Sequence, residues 1–159
     1  MAARETQATR AAKAAGIAFR VHEYAHDPAH ESYGLEAAEA LGQDPARVFK
    51  TLVASVDGKL VVCCVPVTAQ LDLKAAAAAA GARRAEMADV REAERATGYV
   101  AGGISPLGQK RRLPTLVDES ALAFDTVYVS AGRRGLEIEL PPGDLLRLTG
   151  GAAAAVART

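Results

Sequence analysis

The stretch FKTLVASVDGKLVVCCVPV, residues 49–67, contains the strongest fold signal in the sequence. Two strand-like runs flank Asp57-Gly58, a dipeptide that supplies the positive φ angles of a type I′ turn. The pattern predicts an antiparallel β-hairpin. Its second run contains Cys63 and Cys64, whose side chains should point to opposite faces of the sheet because successive residues of a strand alternate. We therefore expect two unpaired thiols, at least one of them buried.

Helix and strand patterns are interspersed on both sides of this hairpin. Helices are predicted within residues 6–16, 33–42, 71–81, 88–98 and 141–148, from helix-forming residues, capping residues such as Asp72 and Asp89, and terminal glycines. Strands are predicted within residues 17–24, 115–120 and 125–140, the last as a pair joined by a turn at 131–135. The elements lack regular βαβ spacing. We expect one α+β domain over residues 1–159, with a curved, partly barrel-like mixed sheet and flanking helices.

The composition is that of a compact globular protein, and its net charge marks no class of partner. Half of the 159 residues are hydrophobic, and 19 Lys and Arg balance 19 Asp and Glu. Affinity for nucleic acid would therefore have to come from local clusters of cations. The cysteines lack CxxC spacing, residues 1–10 lack the apolar run of a secretory leader, and no run approaches the ~20 apolar residues of a membrane span. We expect a cytoplasmic protein with no membrane partner.

The stretch GGISPLGQKRR, residues 102–112, combines a permissive backbone with dense positive charge. Its three cations are the only charged residues between positions 96 and 117, namely Lys110, Arg111 and Arg112. Arg133 and Arg134 lie in another glycine-flanked segment. If the two segments meet, they form an anion site; otherwise they are solvated basic loops, the commoner case for short charge runs. The glycines favour an anion site, because they let backbone N–H groups approach a ligand closely.

Other residues give weaker signals. Lys50 lies at the start of the first hairpin strand, on the face opposite Phe49 and Thr51, where a lysine most often guards an exposed edge. Three histidines lie four residues apart across a strand-to-loop passage, at His22, His26 and His30. They lack Cys or Glu at ligand spacing, so we interpret them as turn and surface residues and predict no metal and no cofactor. No nucleophile, base and orienting group are evident together.

Six segments of the sequence form a recognisable series: FRVHEYAHDP, VFKTLVASVDG, QLDLK, EMADV, TGYVAGGISPLGQKRRLPT and YVSAGRRGLEIEL. In order and near-spacing they resemble the YbaK family of Cys-tRNA(Pro) deacylases, part of a wider group that includes the editing insertion of bacterial prolyl-tRNA synthetases. The resemblance spans nearly the whole chain, and GGISPLGQKRRLPT is its most specific block. It implies a trans-editing hydrolase that cleaves the ester joining a wrong amino acid to tRNA.

The resemblance also implies roles for individual positions. The family's indispensable lysine falls on Lys50, and the glycine whose backbone lines the pocket falls on Gly102. The further substrate-binding positions are Tyr24, Tyr33, Thr51, Gly103, Ser130, Arg134 and Glu137. Contacts with tRNA phosphates are expected from Lys110, Arg111, Arg112 and Arg133. Glu137 stands where relatives have Asp, and Tyr33 stands where Phe is familiar, so these two departures bear on pocket shape and on recognition of the amine.

The mechanism implied by the resemblance needs no nucleophile from the protein. The substrate's cysteine thiol attacks its own ester carbonyl, forms a cyclic thiolactone and releases tRNA, while the protein orients the groups and stabilises charge. The expected partner is the 3′ end and acceptor stem of aminoacyl-tRNA, and prolyl-tRNA synthetase is a second candidate. Two alternatives stay open. One is a deacylase for another misacylated tRNA, such as Ala-tRNA(Pro); the other is a non-catalytic module that binds RNA or a nucleotide.

Overall fold

The computed structural model describes residues 5–27, 29 and 33–159, without the side chain of Tyr33. The helices are α1 (Gln7–Ala14), α2 (Tyr33–Leu41), α3 (Leu73–Ala79), α4 (Val90–Thr97) and α5 (Pro142–Thr149). The strands are β1 (Arg20–Glu23), β2 (Phe49–Val56), β3 (Lys59–Pro66), β4 (Gln70–Leu71), β5 (Ala85–Met87), β6 (Thr115–Asp118), β7 (Val127–Arg133), β8 (Leu136–Leu140), β9 (Ala152–Ala154) and β10 (Ala157–Arg158). In the part of the chain that the structure describes, every helix is too short or too polar to span a bilayer.

The predicted hairpin is confirmed and lies at the centre of the largest sheet. Strands β2 and β3 pair antiparallel around Asp57 (φ 48°) and Gly58 (φ 82°). The strand order of this sheet is β5-β2-β3-β6-β9, and β3 pairs with β6 in parallel. Strand β5 covers β2 only at Ala54, Ser55 and Val56. The beginning of β2 therefore keeps an uncovered edge, which faces β7.

Strand β3 is buried on both faces. Cys64 packs with Phe49 in the larger core, whereas Cys63 packs with Ala76 of α3 in a second core. The two thiols thus lie on opposite faces of the sheet, unpaired, as the alternation predicts, and both are fully buried. Burial raises the pKa of Cys63 to about 11 and that of Cys64 to about 12. Both thiols are therefore protonated near neutral pH, where they are poor nucleophiles.

A second sheet, of strand order β1-β8-β7, provides the opposite wall of the larger core. Strand β7 extends to Arg133, further than predicted, and contains a β-bulge between Ser130 and Arg133. The bulge accommodates Gly132, whose φ is 107° and whose N–H donates to Ser130 Oγ. The turn between β7 and β8 is consequently shorter than the predicted span of 131–135, because the first of those residues belong to the bulged strand.

The α+β class with flanking helices is confirmed, but among the described residues the sheets do not close into a barrel. Among the described residues, the backbone pairing between the two larger sheets is limited to an isolated parallel bridge between Val48 and Tyr128. Strand β10 pairs separately with β4. The bridge brings the beginning of β2 beside the β7–β8 pair without extending the ladder, so a space remains between the two sheets.

Candidate functional site

A cavity of about 230 Å³ lies where the beginning of β2 faces the β7–β8 pair. Eight of the residues that line it were predicted from the sequence: Tyr24, Lys50, Thr51, Gly102, Ser130, Arg133, Arg134 and Glu137. The others are Gly34, Val48, Phe49, Leu52 and Ile104. Lys50 and Thr51 both border the cavity, although strand alternation separates their side chains, because the cavity surrounds the first residues of β2. The fold thus collects residues from five separate segments of the chain.

Lys50 is a half-buried cation at this cavity. Burial lowers the pKa of its ammonium group below the ordinary value for lysine. Among the described residues it forms no ion pair with a carboxylate, and burial alone accounts for the lowered pKa. A partly desolvated ammonium group without a counter-ion attracts negative charge strongly, because water screens it less. Lys50 is therefore placed to bind an anionic or strongly polar group of a ligand.

Gly102 borders the cavity from a tight turn formed by residues 100–103. The N–H of Gly103 donates to the carbonyl of Val100 at 2.9 Å, and Gly102 has φ 90° at the third position, as in a type II turn. The Gly102 N–H has no hydrogen-bond partner among the described residues. This backbone donor is thus available to a carbonyl or developing oxyanion in the cavity.

The two glycine-flanked segments of the sequence meet at Gly103. A Cβ atom added at this position would lie 2.8 Å from Cα of Arg133, so only glycine allows this approach. The Ser130 hydroxyl joins the segments, since it donates to the Gly103 carbonyl at 3.2 Å and accepts from the Gly132 N–H at 3.1 Å. Gly103 is buried behind the cavity wall rather than lining it. Its role in the geometry is to let the turn of residues 100–103 pack closely against the backbone of Arg133 and Arg134.

Glu137 is an acid at the inner wall of the cavity and is only 7% exposed. Burial raises its pKa to about 8, so it is mostly protonated at neutral pH. The pKa of Tyr24, on the same wall, is also raised, first by burial and then by the nearby Glu137. In its neutral form Glu137 can both donate and accept a hydrogen bond within the cavity.

Residues 26–148 match the family model of the aminoacyl-tRNA editing domain. The chain belongs to the aminoacyl-tRNA editing domain family. It is 40% identical over 149 residues to EbsC of Enterococcus faecalis, a proposed Cys-tRNA(Pro)/Cys-tRNA(Cys) deacylase, covering 92% of this chain and 90% of that protein. It is 37% identical over 101 residues to a proline–tRNA ligase of Acidithiobacillus ferrooxidans, covering 64% of this chain and 18% of the ligase.

A solved structure of a proposed trans-editing enzyme for prolyl-tRNA synthetase has the same fold as this editing domain. The two superpose with a TM-score of 0.84 at 28% identity, covering 98% of this chain and 99% of that one. The resemblance inferred from the six sequence segments is thereby confirmed. Because the match covers 98% of this chain, the β-hairpin and the β7–β8 pair belong to the shared part of the fold.

The hydroxyl groups around the cavity of the editing domain are not arranged as activated nucleophiles. Ser130 Oγ exchanges hydrogen bonds with two backbone groups. Thr51 Oγ1 lies 4.0 Å from Cys64 Sγ. Among the described residues neither hydroxyl contacts a histidine or a carboxylate, although such a base is what activates a serine or threonine. The geometry favours chemistry in which the protein orients the substrate.

The basic residues that were predicted to bind the substrate or tRNA divide into two groups in the editing domain. Arg133 and Arg134 line the cavity. Arg133 Nη2 lies 3.5 Å from Glu23 Oε2, and Arg134 Nη2 lies 3.1 Å from His26 Nδ1. The other cations are exposed and lie away from the cavity: Lys110, Arg111 and Arg112. The backbone N–H groups of the first two donate to carbonyls in the last turn of α4, and the third borders a separate pocket beside α5. Their contact with tRNA phosphates stays a prediction.

A buried carboxylate beside the cavity was missed by the sequence analysis. Glu36 of α2 is 4% exposed and accepts hydrogen bonds from the His26 ring and the Asp27 N–H, both at 2.7 Å. His22 is similarly bonded to Glu139 at 2.8 Å. The interpretation of His22 and His26 as turn and surface residues was therefore wrong, because both rings are partly buried against acids. Spacing alone gives no signal for such pairs.

Two predicted positions fall outside these observations. The side chain of Tyr33 and all of His30 lie outside the described residues. Within the described ranges, no group of three or more His, Cys, Asp or Glu side chains is arranged to hold a metal ion.

Proposed function

We propose that this chain is a trans-editing deacylase that removes cysteine from mischarged tRNA(Pro). Membership of the editing-domain family supports the reaction class, and the identity with EbsC over nearly the full length of both chains supports the substrate. Prolyl-tRNA synthetase benefits from such an enzyme because cysteine is close to proline in size. A binding pocket separates ligands that differ so little by only ~1–3 kcal/mol, so a second hydrolytic step multiplies the selectivity.

The observation that most directly supports this function is a cavity with binding groups and, among the described residues, no activated nucleophile. Lys50 offers an ammonium group without a counter-ion, and Gly102 offers a backbone N–H without a partner among the described residues. In our proposal Lys50 holds the terminal ribose or phosphate of the tRNA. The N–H of Gly102 binds the carbonyl oxygen of the aminoacyl ester, where negative charge develops during acyl transfer.

The nucleophile in this proposal is the thiol of the substrate's own cysteinyl group. Its sulfur attacks the ester carbonyl carbon, a C–S bond forms, and the C–O bond to the terminal ribose breaks. The departing ribose oxygen takes up the proton that the thiol gives up, so the products are a cyclic thiolactone and uncharged tRNA. The cavity contributes by holding sulfur and carbonyl close together and by stabilising the developing oxyanion.

The remaining predicted residues have supporting roles in this proposal. Glu137 contacts the α-amine, and the other substrate-binding positions shape the cavity wall: Tyr24, Tyr33, Thr51, Gly103, Ser130 and Arg134. The acceptor stem of the tRNA contacts Lys110, Arg111, Arg112 and Arg133 through its phosphates, which dominate affinity for nucleic acids. Prolyl-tRNA synthetase is a proposed partner, because part of a proline–tRNA ligase is similar in sequence to this chain.

The test is to incubate the purified protein separately with Cys-, Ala- and Pro-tRNA(Pro) and to follow loss of the ester. We expect rapid deacylation of Cys-tRNA(Pro) only. Comparable deacylation of Ala-tRNA(Pro) would contradict the thiol mechanism, because an alanyl group has no thiol and would require an activated water. Binding of all three without turnover would instead identify a non-catalytic RNA-binding module.

A further inference from the structure

The turn that contains Gly102 is tied to helix α4 by the side chain of Glu94. Glu94 Oε2 accepts a hydrogen bond from the Ala101 N–H at 2.7 Å. The backbone carbonyl of the same residue accepts from the Gly98 N–H at 2.9 Å, where α4 ends in a left-handed cap. Glu94 therefore holds both the end of the helix, through its backbone, and the turn that follows, through its carboxylate.

The tip of this turn has few other restraints. On one side the Tyr99 hydroxyl is bonded to the Leu107 carbonyl, and on the other the Gly103 carbonyl accepts from Ser130. Between these anchors, in the described structure, Glu94 provides the only side-chain hydrogen bond to the backbone. The tip is otherwise open to solvent, since Val100 is 74% exposed. Besides the closing hydrogen bond of the turn, from the Gly103 N–H to the Val100 carbonyl, the Glu94 carboxylate is thus the main restraint on the position of the tip.

A turn with glycine at its third position can adopt more than one type. Types I and II share the closing hydrogen bond, here from Gly103 to Val100, but differ by a rotation of the peptide between the two central residues. That rotation reverses the direction of the third residue's N–H, and glycine permits either state. In this turn the N–H concerned belongs to Gly102. The Ala101 N–H belongs to the preceding peptide, which this rotation does not move, so the bond to Glu94 does not select the turn type. It fixes the peptide from which the rotating unit projects, and so the position of the turn against α4.

We propose that Glu94 is a positioning residue for deacylation, which holds the turn that presents the Gly102 N–H in place at the cavity. The inference rests on the proposed function, because it is the bound ester that this N–H would contact. Glu94 does not line the cavity and so acts through the turn. A donor fixed in advance matters most when charge develops on the oxygen, so the role should appear in kcat rather than in KM.

The experiment compares Glu94→Ala, Glu94→Gln and a matched control, Glu92→Ala, in deacylation of Cys-tRNA(Pro). Glutamine keeps an acceptor oxygen without the charge, and Glu92 is an exposed acid of the same helix whose side chain forms no hydrogen bond among the described residues. We expect Glu94→Ala to lower kcat about tenfold with KM within about twofold, the size expected for loss of one charge-assisted hydrogen bond. Glu94→Gln should recover most of kcat, and Glu92→Ala should match wild type.

Thermal unfolding and amide hydrogen exchange complete the test. A folded Glu94→Ala protein with wild-type kcat, or one that loses activity only through KM, would overturn the proposal. So would failure of Glu94→Gln to recover activity while remaining folded. If the wild-type protein deacylates none of the three tRNAs, the proposed function fails and the catalytic role of Glu94 fails with it. In that case the Ala101 amide can still be compared between wild type and Glu94→Ala. Faster exchange in the variant would show that Glu94 restrains the turn in solution, and equal exchange would show that it does not.

Discussion

The two strands of the central hairpin place their reactive side chains in opposite environments. Strand β2 presents Lys50 and Thr51 at the cavity, whereas β3 buries Cys63 and Cys64 completely. Thr51 and Cys64 are paired across the hairpin, with the hydroxyl and the thiol 4.0 Å apart. One nevertheless borders the cavity and the other lies in the core, because β2 has an uncovered edge at its beginning and β3 lies between two strands.

The two strands therefore differ in which of their polar groups a ligand can reach: β2 exposes groups that can bind it, and β3 buries the thiols that could attack it. The accessible side of the hairpin offers a cation, and the two cysteine thiols are buried where a substrate cannot reach them. High thiol pKa values, about 11 and about 12, strengthen the separation because they keep Cys63 and Cys64 protonated. A protein arranged in this way can orient a reactive substrate but has no sulfur nucleophile of its own to offer.

The largest effect is expected from Lys50→Ala, which removes the cation on the accessible side. A charge directed at the substrate can contribute ~2–4 kcal/mol in the transition state, so single-turnover deacylation should nearly disappear. Stability should change little, because a half-exposed lysine near a strand end contributes little to folding. The matched control is Lys59→Ala, an exposed lysine at the other end of the hairpin. Near-normal turnover by folded Lys50→Ala protein would remove Lys50 from the site.

The second effect concerns Glu137 and the pH dependence of stability. Its pKa rises from the ordinary 4.5 to about 8 on folding, so between these values the folded state keeps a proton that the unfolded state has lost. The contribution of Glu137 to the free energy of unfolding is therefore complete below about pH 4.5 and is lost as pH rises to about 8. Relative to Glu137→Gln, the free energy of unfolding of the wild type should fall by a few kcal/mol over this range, at about 1.4 kcal/mol for each unit by which the pKa is shifted.

Urea unfolding of both proteins at the two ends of this range measures the effect. Glu139→Gln is the internal control, since burial raises the pKa of Glu139 but hydrogen bonds from Thr126 and His22 outweigh it and lower the pKa on balance. Its contribution to the free energy of unfolding is present above its unfolded pKa and is lost only as pH falls below that value. The difference between wild type and Glu139→Gln should therefore stay nearly constant from the lower to the upper end of this range. A pH-independent difference between wild type and Glu137→Gln would show that Glu137 is not desolvated as the structure indicates.

A smaller effect is expected from the cations that lie away from the cavity. Changing all three to alanine should weaken tRNA binding and flatten its dependence on salt, because each phosphate contact contributes about 0.7–0.9 to the logarithmic salt slope. The residues are Lys110, Arg111 and Arg112. Deacylation of saturating substrate should be nearly unchanged.

The control for this triple variant removes the same charge from the turn end of the hairpin, at Lys59, Arg83 and Arg84, where all three residues are exposed. Binding titrations at several salt concentrations compare the two proteins. An equal salt slope for wild type and the first triple variant would identify residues 110–112 as an ordinary solvated segment.

The smallest effect is expected from replacing the two buried thiols together. Cys63→Ala with Cys64→Ala removes packing volume from both cores and should lower the unfolding midpoint. Deacylation by the folded double variant should stay within a small factor of wild type. Substantial loss of activity without loss of fold would show that a protein thiol takes part and that the contrast between the two strands has been misread.

The sequence predicts those parts of the fold that local signals specify. Asp57-Gly58 gives the hairpin, and Asp72 and Asp89 cap α3 and α4 as expected. Strand β9 gives no such signal, because it consists of three alanines and forms only by parallel pairing with β6. The C-terminal segment after it depends on Asp118, whose buried carboxylate accepts from the N–H groups of residues 156 and 157. Interactions of this kind join residues far apart in the chain, so local patterns cannot show them.

Those residues of the candidate site to which the family resemblance assigns a position could be predicted. Features that depend on tertiary packing could not. Lys50, Gly102 and Glu137 lie together as the resemblance implies. The two ends of the stretch 102–112 nevertheless lie in different places. Gly108 packs directly on the backbone of Gln7, and the chain then forms hydrogen bonds with the end of α4. Gly102 thus lines the cavity, whereas the three cations of this stretch lie away from it. The hydrogen bonds of Glu94 and Glu36 were also hidden, since each joins residues that local patterns do not connect.

The most direct test of the central claim compares Cys-tRNA(Pro) with Ser-tRNA(Pro) on the wild-type protein. The two substrates have similar size and shape, but a thiol is a few per cent ionised near neutral pH whereas a hydroxyl is not. If the protein only orients the substrate, both should bind with similar affinity and the cysteinyl ester should be cleaved far faster under single-turnover conditions. Equal rates on the two substrates would contradict a substrate-supplied nucleophile and would direct attention to water activated near Glu137 and Ser130.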